Sequence, residues 1–228
     1  MNKVVVLLSG GLDSAVCLAH AVDAVGRENV VALNMFYGQR HSKELDCATA
    51  LANYYNVDLV RRDLTAAFEF SKSTMLAGTG DLPTGSYEEQ LKQTGTVSTY
   101  VPFRNGLFLS FAAAVAYSLD ADTIMLGAHA DDAAGNAYPD CSMEFTSAMN
   151  KAVTIGTGGK VSFYAPFVDK HKSDIVARGL ELGLPFQLTW SCYDGGHEAC
   201  GVCGTCIDRL KAFELNNATD PARYKKNI

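Results

Sequence analysis

Two groups of residues in this chain have the types and spacing for chemistry. The first is Ser9-Gly10-Gly11-Leu12-Asp13-Ser14, set between an apolar run, Val4 to Leu8, and a segment, Ala15 to Val22, whose apolar residues recur at helical spacing. A glycine-rich turn between a strand and a helix N-terminus is an anion site. Gly10 and Gly11 leave backbone N–H groups unobstructed and permit positive φ, and the helix adds partial positive charge. Ser9 and Ser14 add hydroxyl donors for phosphate oxygens, while Asp13, itself an anion, suits a magnesium ion or a helix cap. An ordinary capped turn has a similar composition, but the order strand, double glycine, helix favours phosphate. Other phosphate loops do not fit: Thr154 stands where a first glycine would precede Gly159-Lys160, and no Gly-x-Gly-x-x-Gly occurs.

The second group is Cys192-x7-Cys200-x2-Cys203-x2-Cys206, four of the seven cysteines. In a reducing compartment these are thiolate ligands rather than disulfides. Four thiolates fill a tetrahedral zinc ion and leave no open position, which makes such a site structural, with one zinc per chain expected. An iron–sulfur cluster is the rival, although the fourth cysteine three residues on and the following proline of a ferredoxin run are missing. His197 is a weaker alternative to Cys192. Residues 188–208 are rich in glycine and poor in core-forming side chains, so metal binding is expected to supply much of their ordering. Cys17 and Cys47 read as small buried hydrophobes, and Cys141 has no partner spacing.

The elements that must position these groups alternate. Strands are expected at 3–8, 30–37, 57–64, 123–129 and 161–165, and helices at 14–26, 40–55, 103–119, 142–153 and 172–182. Residues 77–95, with their glycines and a proline, read as loop. This is an α/β chain with a parallel sheet and helices on both faces, whose ligands bind beyond the carboxyl ends of the strands. Ser9–Ser14, Tyr37–Gln39 and His129–Asp132 are thus expected around one crevice. A 228-residue chain accommodates an α/β domain at 1–187 and a zinc-binding lobe at 188–228 in one compact unit. No uninterrupted apolar stretch reaches membrane-spanning length, and Met1-Asn2-Lys3 runs straight into the first strand, so cytoplasm is expected. A net charge of −6 argues against a nucleic-acid surface and for a small-molecule substrate. The basic cluster Arg223-Tyr224-Lys225-Lys226 reads as a solvated tail, and a homodimer is left open.

The serine–glycine loop resembles that of the N-type ATP pyrophosphatases, which cleave ATP between its α and β phosphates to adenylate a substrate oxygen. The resemblance implies an adenine-nucleotide α-hydrolase-like (Rossmann-like) fold, with ATP and Mg²⁺ as cofactors. It also implies a nucleotide wall made of Leu8, Ser9, Gly10, Gly11, Leu12, Asp13, Ser14, Ala15, Val16, Cys17 and Leu18. Further stretches narrow it: Tyr37-Gly38-Gln39-Arg40-His41, Val101-Pro102-Phe103-Arg104-Asn105-Gly106, Tyr138-Pro139-Asp140-Cys141, and Thr189-Trp190-Ser191-Cys192-Tyr193 running into the cysteines. Together they resemble the 7-cyano-7-deazaguanine synthase family of queuosine biosynthesis over nearly the full length. The segment Asp131 to Asn136 departs from that pattern.

The implied reaction turns the carboxylate of 7-carboxy-7-deazaguanine into a nitrile with ammonia and ATP, through adenylated intermediates. Free ammonia is the implied nitrogen source. Asp13 and Ser14 are then catalytic candidates. Arg104, with Asn105, suits a carboxylate or purine edge, and Asp140 suits a guanine-like N1–H and amino group. A helix-end salt bridge for Arg104 and a helix cap for Asp140 are the structural alternatives. His129 and Asp131 face the same choice between lining the site and structural hydrogen bonding. Lys172 is expected to be a solvated surface lysine, with phosphate contact as the alternative, and Phe36 or Tyr37 could stack on the purine or join the core. A transfer-RNA sulfur transferase and a non-catalytic adenine-nucleotide sensor remain as rival functions.

Overall fold

The computed structural model describes residues 1–94 and 97–225. Five strands, β1 (Val4–Leu7), β2 (Val30–Phe36), β3 (Asp58–Asp63), β4 (Thr123–Met125) and β5 (Ser162–Tyr164), form one sheet in the order β3-β2-β1-β4-β5. Every pairing is parallel; Val4 lies opposite Val30 on one side and Thr123 on the other. Eight α-helices accompany them: α1 (Leu12–Val25), α2 (Lys43–Tyr55), α3 (Tyr87–Thr94), α4 (Arg104–Ser118), α5 (Ala130–Ala133), α6 (Met143–Gly156), α7 (Lys172–Glu181) and α8 (Gly204–Leu215). The central strand is apolar throughout because a strand covered on both faces has no solvated side. Val4, Val6 and Leu8 pack with α1, α2, α7 and α8, whereas Val5 and Leu7 pack with α4 and α6. No helix among the described residues is long and apolar enough to cross a membrane.

The strand order reverses between β1 and β4, and the crevice opens beyond their carboxyl ends. The expected strand at 123–129 stops at Met125, opposite Val6 of β1, although Leu126 N–H still donates to Tyr164 O at 3.3 Å. Leu126 to His129 then fold back over the start of α1, where a β-carbon on Gly127 would lie 2.8 Å from the Asp13 carbonyl oxygen. The expected loop at 77–95 contains α3, and its last residue, Gly95, lies outside the described residues. Ser86 and Glu89 exchange capping bonds at the start of α3, 2.8 Å and 3.3 Å, a Ser-x-x-Glu signal that the surrounding glycines mask.

The C-terminal lobe also differs from expectation. α8 was not anticipated among the glycines, yet its Ala212 and Phe213 belong to the same core as α1. Nor is the basic tail free: Ala199 N–H donates to Arg223 O at 2.7 Å and Lys225 N–H to Ala199 O at 2.9 Å, while Lys226 lies outside the described residues. Behind this stands a buried pair, Arg209 Nε to Asp220 Oδ2 at 2.7 Å, both side chains almost fully enclosed. Tyr224 O–H donates to the same carboxylate oxygen at 2.6 Å. Burial would raise the Asp220 carboxyl, but Arg209 and Tyr224 hold it below the ordinary carboxylate range. A depressed folded-state value means that the stabilisation is complete above the unfolded value of about 3.9 and is lost as pH falls through the folded one. Asp220→Ala should therefore lower unfolding free energy at pH 7 by about 3–5 kcal/mol in urea titrations, because it leaves Arg209 buried and unpaired. The gap between the two proteins should close as pH falls below about 3.9.

Candidate active site

The loop between β1 and α1 takes its shape from Gly10, whose φ of 101° is denied to other residues without strain. A β-carbon there would also collide with the Glu44 carbonyl oxygen and lie 2.8 Å from the Ala48 nitrogen, so the loop rests directly on the α2 backbone. Gly11 does not use the positive φ that its residue type permits; at −73° it is an ordinary N-cap. The polar groups of the loop satisfy one another. Ser9 and Ser14 hydroxyls lie 3.0 Å apart, Gly11 N–H donates to Ser9 Oγ at 3.1 Å, and Gly10 N–H donates to Ser14 Oγ at 3.3 Å. These are the donors a phosphate would engage.

A cavity of about 210 Å³ opens against this loop, lined by Leu8, Ser9, Gly11, Asp13 and Ser14 from the expected nucleotide wall. The remainder of that wall turns inward: Leu12, Ala15, Val16, Cys17 and Leu18 are fully buried in the core, and Gly10 faces α2. A helix presents only one side to a crevice, so a continuous run cannot line it. Burial alone pushes the Cys17 thiol up to about 12, in keeping with an inert core residue.

Lys172 is not the surface lysine expected. Its side chain is 8% exposed, and its ammonium lies 3.1 Å from Asp13 Oδ2 and 3.4 Å from His129 Nε2. Burial would raise the Asp13 carboxyl, but the Lys172 and His129 charges outweigh it and hold it below its ordinary value. Lys172 is driven above its usual value because Asp13 and Asp132 prevail over desolvation. His129 is buried, 3.7 Å from Asp13 Oδ1 and 3.3 Å from Asp132 Oδ2. Asp13 Oδ1 has no hydrogen-bond partner despite burial, the mark of an oxygen prepared for a further cation. Asp131 serves the scaffold instead: it accepts from His171 Nδ1 and from Lys172 N–H, both at 2.7 Å, at the start of α7.

The opposite wall comes from α4 and the segment after β2. Arg104 Nη1 donates to the Tyr37 hydroxyl at 2.8 Å and sits over that ring at 5.0 Å. Among the described residues no carboxylate forms an ion pair with Arg104, which lines the cavity. Tyr37 lines the cavity and Phe36 does not. Asp140 is absent from the lining; its Oδ2 accepts from Asn105 N–H at 2.9 Å, where it fixes the first turn of α4. This is the structural role at a helix start that the sequence offered as the alternative for Asp140. The residues that sequence reasoning missed are Glu44 and the tyrosines 87, 138 and 193. Tyr87 and Tyr193 hydroxyls meet at 2.6 Å, and Tyr138 and Tyr193 hydroxyls at 3.2 Å. Tyr138 and Tyr193 lie in stretches shared with the family, but nothing in those stretches sets the tyrosines beside each other or beside Tyr87.

The four cysteines of the C-terminal run converge, with their sulfurs all within 4.8 Å of one another and His197 outside the group. Cys192 Sγ accepts from Cys200 N–H at 3.2 Å and Asp194 N–H at 3.4 Å. Hydrogen bonds from Cys203 and Cys206 also favour its thiolate, and the same bond to Cys192 pushes the Cys203 thiol up. Four such sulfurs can be thiolates together only around a cation, so the group can hold a metal ion. The cluster adjoins the cavity: Trp190, Ser191, Tyr193 and Thr205 from this lobe line it.

A parallel sheet with a serine–glycine loop at its switch point and a charged cavity beyond defines an enzyme of the Rossmann-like α/β class. The family model for queuosine biosynthesis protein QueC matches residues 3–217, and the chain belongs to that family. It is 44% identical to the 7-cyano-7-deazaguanine synthase of Pseudoalteromonas atlantica, over 99% of this chain and 100% of that one. It is also 44% identical to the 7-cyano-7-deazaguanine synthase of Thermoplasma acidophilum, over 99% and 93%. Among solved structures, NMN synthetase from Francisella tularensis is 17% identical, with a TM-score of 0.49 over 96% of this chain and 78% of that one. That likeness is too distant to bear on the site.

The loop geometry makes Gly10 and Gly11 unequal. Gly10→Ala should cost about 3 kcal/mol more than Gly11→Ala in urea unfolding, since it combines backbone strain with a clash against α2. A β-carbon on Gly11 meets only Ser9 Oγ at 3.3 Å and Trp190 O at 3.6 Å. Asp13→Ala leaves Lys172 buried without its closest anion, so Asp13→Ala with Lys172→Met should cost at least about 1 kcal/mol less than the two single changes summed.

Proposed function

We propose that the protein converts 7-carboxy-7-deazaguanine, ammonia and ATP into 7-cyano-7-deazaguanine in the cytoplasm. The observation that carries this reading is the match to 7-cyano-7-deazaguanine synthases along almost the whole chain, with the phosphate loop opening onto the cavity. A carboxylate resists attack because its charge is delocalised and oxide is a poor leaving group. Transfer of AMP to its oxygen supplies a good leaving group; ammonia displaces it to give the amide. A second activation, at the amide oxygen, with loss of AMP, leaves the nitrile.

Each part of the cavity has a task in this scheme. Ser9, Gly11 and Ser14 hold the phosphates as pyrophosphate departs. Lys172, clamped by Asp13, adds a fixed positive charge beside them. Asp13, through its unpartnered Oδ1, and Asp132 are the oxygens that would hold the magnesium accompanying ATP, whose chemistry is to share the developing phosphate charge. Arg104 is the cation for the substrate carboxylate, and the three tyrosines offer aromatic surface for the deazapurine. The acidic net charge supports a small substrate over transfer RNA. Zinc is the ion that best fits Cys192, Cys200, Cys203 and Cys206, a closed sulfur set with no position for substrate.

Mass analysis of a reaction with ATP, magnesium, ammonium and the carboxylic acid tests the function. The expected result is the nitrile, with AMP and pyrophosphate released only when the acid is present; ATP binding with no acid-dependent pyrophosphate overturns it. Asp13→Ala should reduce acid-dependent pyrophosphate release at least 100-fold, the scale of a lost electrostatic contact to phosphate. Elemental analysis should find one zinc per chain, lost in Cys203→Ser, with the C-terminal lobe destabilised and activity lowered indirectly. Iron with inorganic sulfide would identify the rival cluster.

A further inference from the structure

We propose that Glu44 is the proton acceptor that delivers ammonia to the activated carboxyl group, an inference resting on the function proposed above. Three carboxylates line the cavity: Asp13, Glu44 and Asp132. Asp13 is committed to Lys172 at 3.1 Å, and Asp132 faces His129 at 3.3 Å. The Glu44 carboxylate, in contrast, receives no hydrogen bond and no ion pair among the described residues, although the side chain is half-buried and opens into the cavity. A carboxyl group held inside a site without a protein partner is one whose partner is a ligand or a proton.

Its position is fixed by backbone. Glu44 lies in the first turn of α2, and its carbonyl oxygen is the atom that Gly10 rests against. The neighbouring Lys43 places its ammonium 3.6 Å from the centre of the Trp190 ring and donates to Gly196 O at 2.6 Å. The residue is therefore gripped between the phosphate loop and the cysteine lobe, two parts of the cavity wall. Arg104 and Tyr37 face it from α4 and from the end of β2, and Cys47 lies one turn along α2. Arg104 donates to the Tyr37 hydroxyl at 2.8 Å and forms no ion pair with the Glu44 carboxylate.

Ammonia enters a neutral solution chiefly as ammonium, which has no lone pair. Glu44 carboxylate takes one proton from it: the N–H bond breaks, the electron pair stays on nitrogen, and Glu44 becomes a carboxylic acid. The nitrogen lone pair then forms the C–N bond, and the C–O bond to AMP breaks with its electrons leaving on the phosphate. The remaining excess proton on nitrogen passes to water, and Glu44 returns its own proton through the open side of the cavity. Burial supports this assignment, since it pushes the Glu44 carboxyl up to about 7 against the pull of Arg104. A group that titrates near neutrality both accepts and releases a proton readily.

Three assays on Glu44→Gln test the role: acid-dependent pyrophosphate–ATP exchange without ammonia, product formation with ammonium, and product formation with hydroxylamine, which is unprotonated at neutral pH. The expected kcat/KM for ammonium falls at least about 100-fold, while exchange and hydroxylamine turnover fall by less than about tenfold. Glu44→Asp should recover part of the ammonium rate. The melting temperature should be unchanged or raised, because the carboxylate loses no partner. Ammonium turnover within about threefold of wild type overturns the proposal. Equal losses in all three assays, or a lowered melting temperature with such losses, assign Glu44 to the scaffold and overturn it too. Absence of acid-dependent exchange in the wild-type enzyme strikes at the proposed function itself and takes this role down with it.

Discussion

Backbone crowding around Gly10 is the constraint on which the site depends. Three separate segments close on the five residues from Gly10 to Ser14. The first turn of α2 meets Gly10, the turn after β4 meets the backbone of Asp13 and Ser14 at Gly127, and Trp190 N–H donates to Gly10 O at 3.0 Å. None of these contacts involves a side chain of the loop itself. A turn held by backbone on three sides keeps its shape when charge develops beside it, and in the proposed function that fixed shape is where electrostatic catalysis gains most.

The charges follow from that enclosure. With the start of α1 pinned, Asp13 has one oxygen within reach of Lys172 and the other without a hydrogen-bond partner near His129. The pair is costly to desolvate, and an ion pair of this kind is a weak argument for stability. Its value lies in placement: the cation of Lys172 is held beside the phosphate loop instead of sweeping through solvent. Asp131 does the same for α7, capping the helix that carries Lys172, so two adjacent aspartates divide between scaffold and cavity.

The cysteine lobe is part of the cavity wall. Ser191 and Tyr193 flank Cys192, Trp190 stands two residues before it, and Thr205 precedes Cys206, so ordering of the sulfur group sets the position of four lining residues. Lys43 reaches across from α2 to the same lobe, and the buried Arg209–Asp220 pair closes it from behind. A structural metal at this place would act on the reaction through the wall it holds.

Local patterns determined a great deal. The strand, double glycine and helix order marked the tight turn that lines the cavity, because that turn uses a backbone geometry at Gly10 that few residue types permit. The cysteine spacing marked the metal-ligand group, since four soft ligands close in sequence have few other uses in a reduced chain. The alternation of elements was enough for a parallel sheet with the crevice at its switch point. Tertiary structure decided what no local pattern encodes. Lys172 opens an amphipathic helix and reads as solvated, yet the approach of α7 to α1 buries it against Asp13. Asp140 lies within the stretch shared with the family, yet it faces the α4 backbone. Glu44 looks like any first-turn helix acid until α2 is seen against Gly10. Charge, burial and proton affinity are properties of neighbours, and those neighbours are brought together by folding from segments as far apart as Asp13 and Lys172.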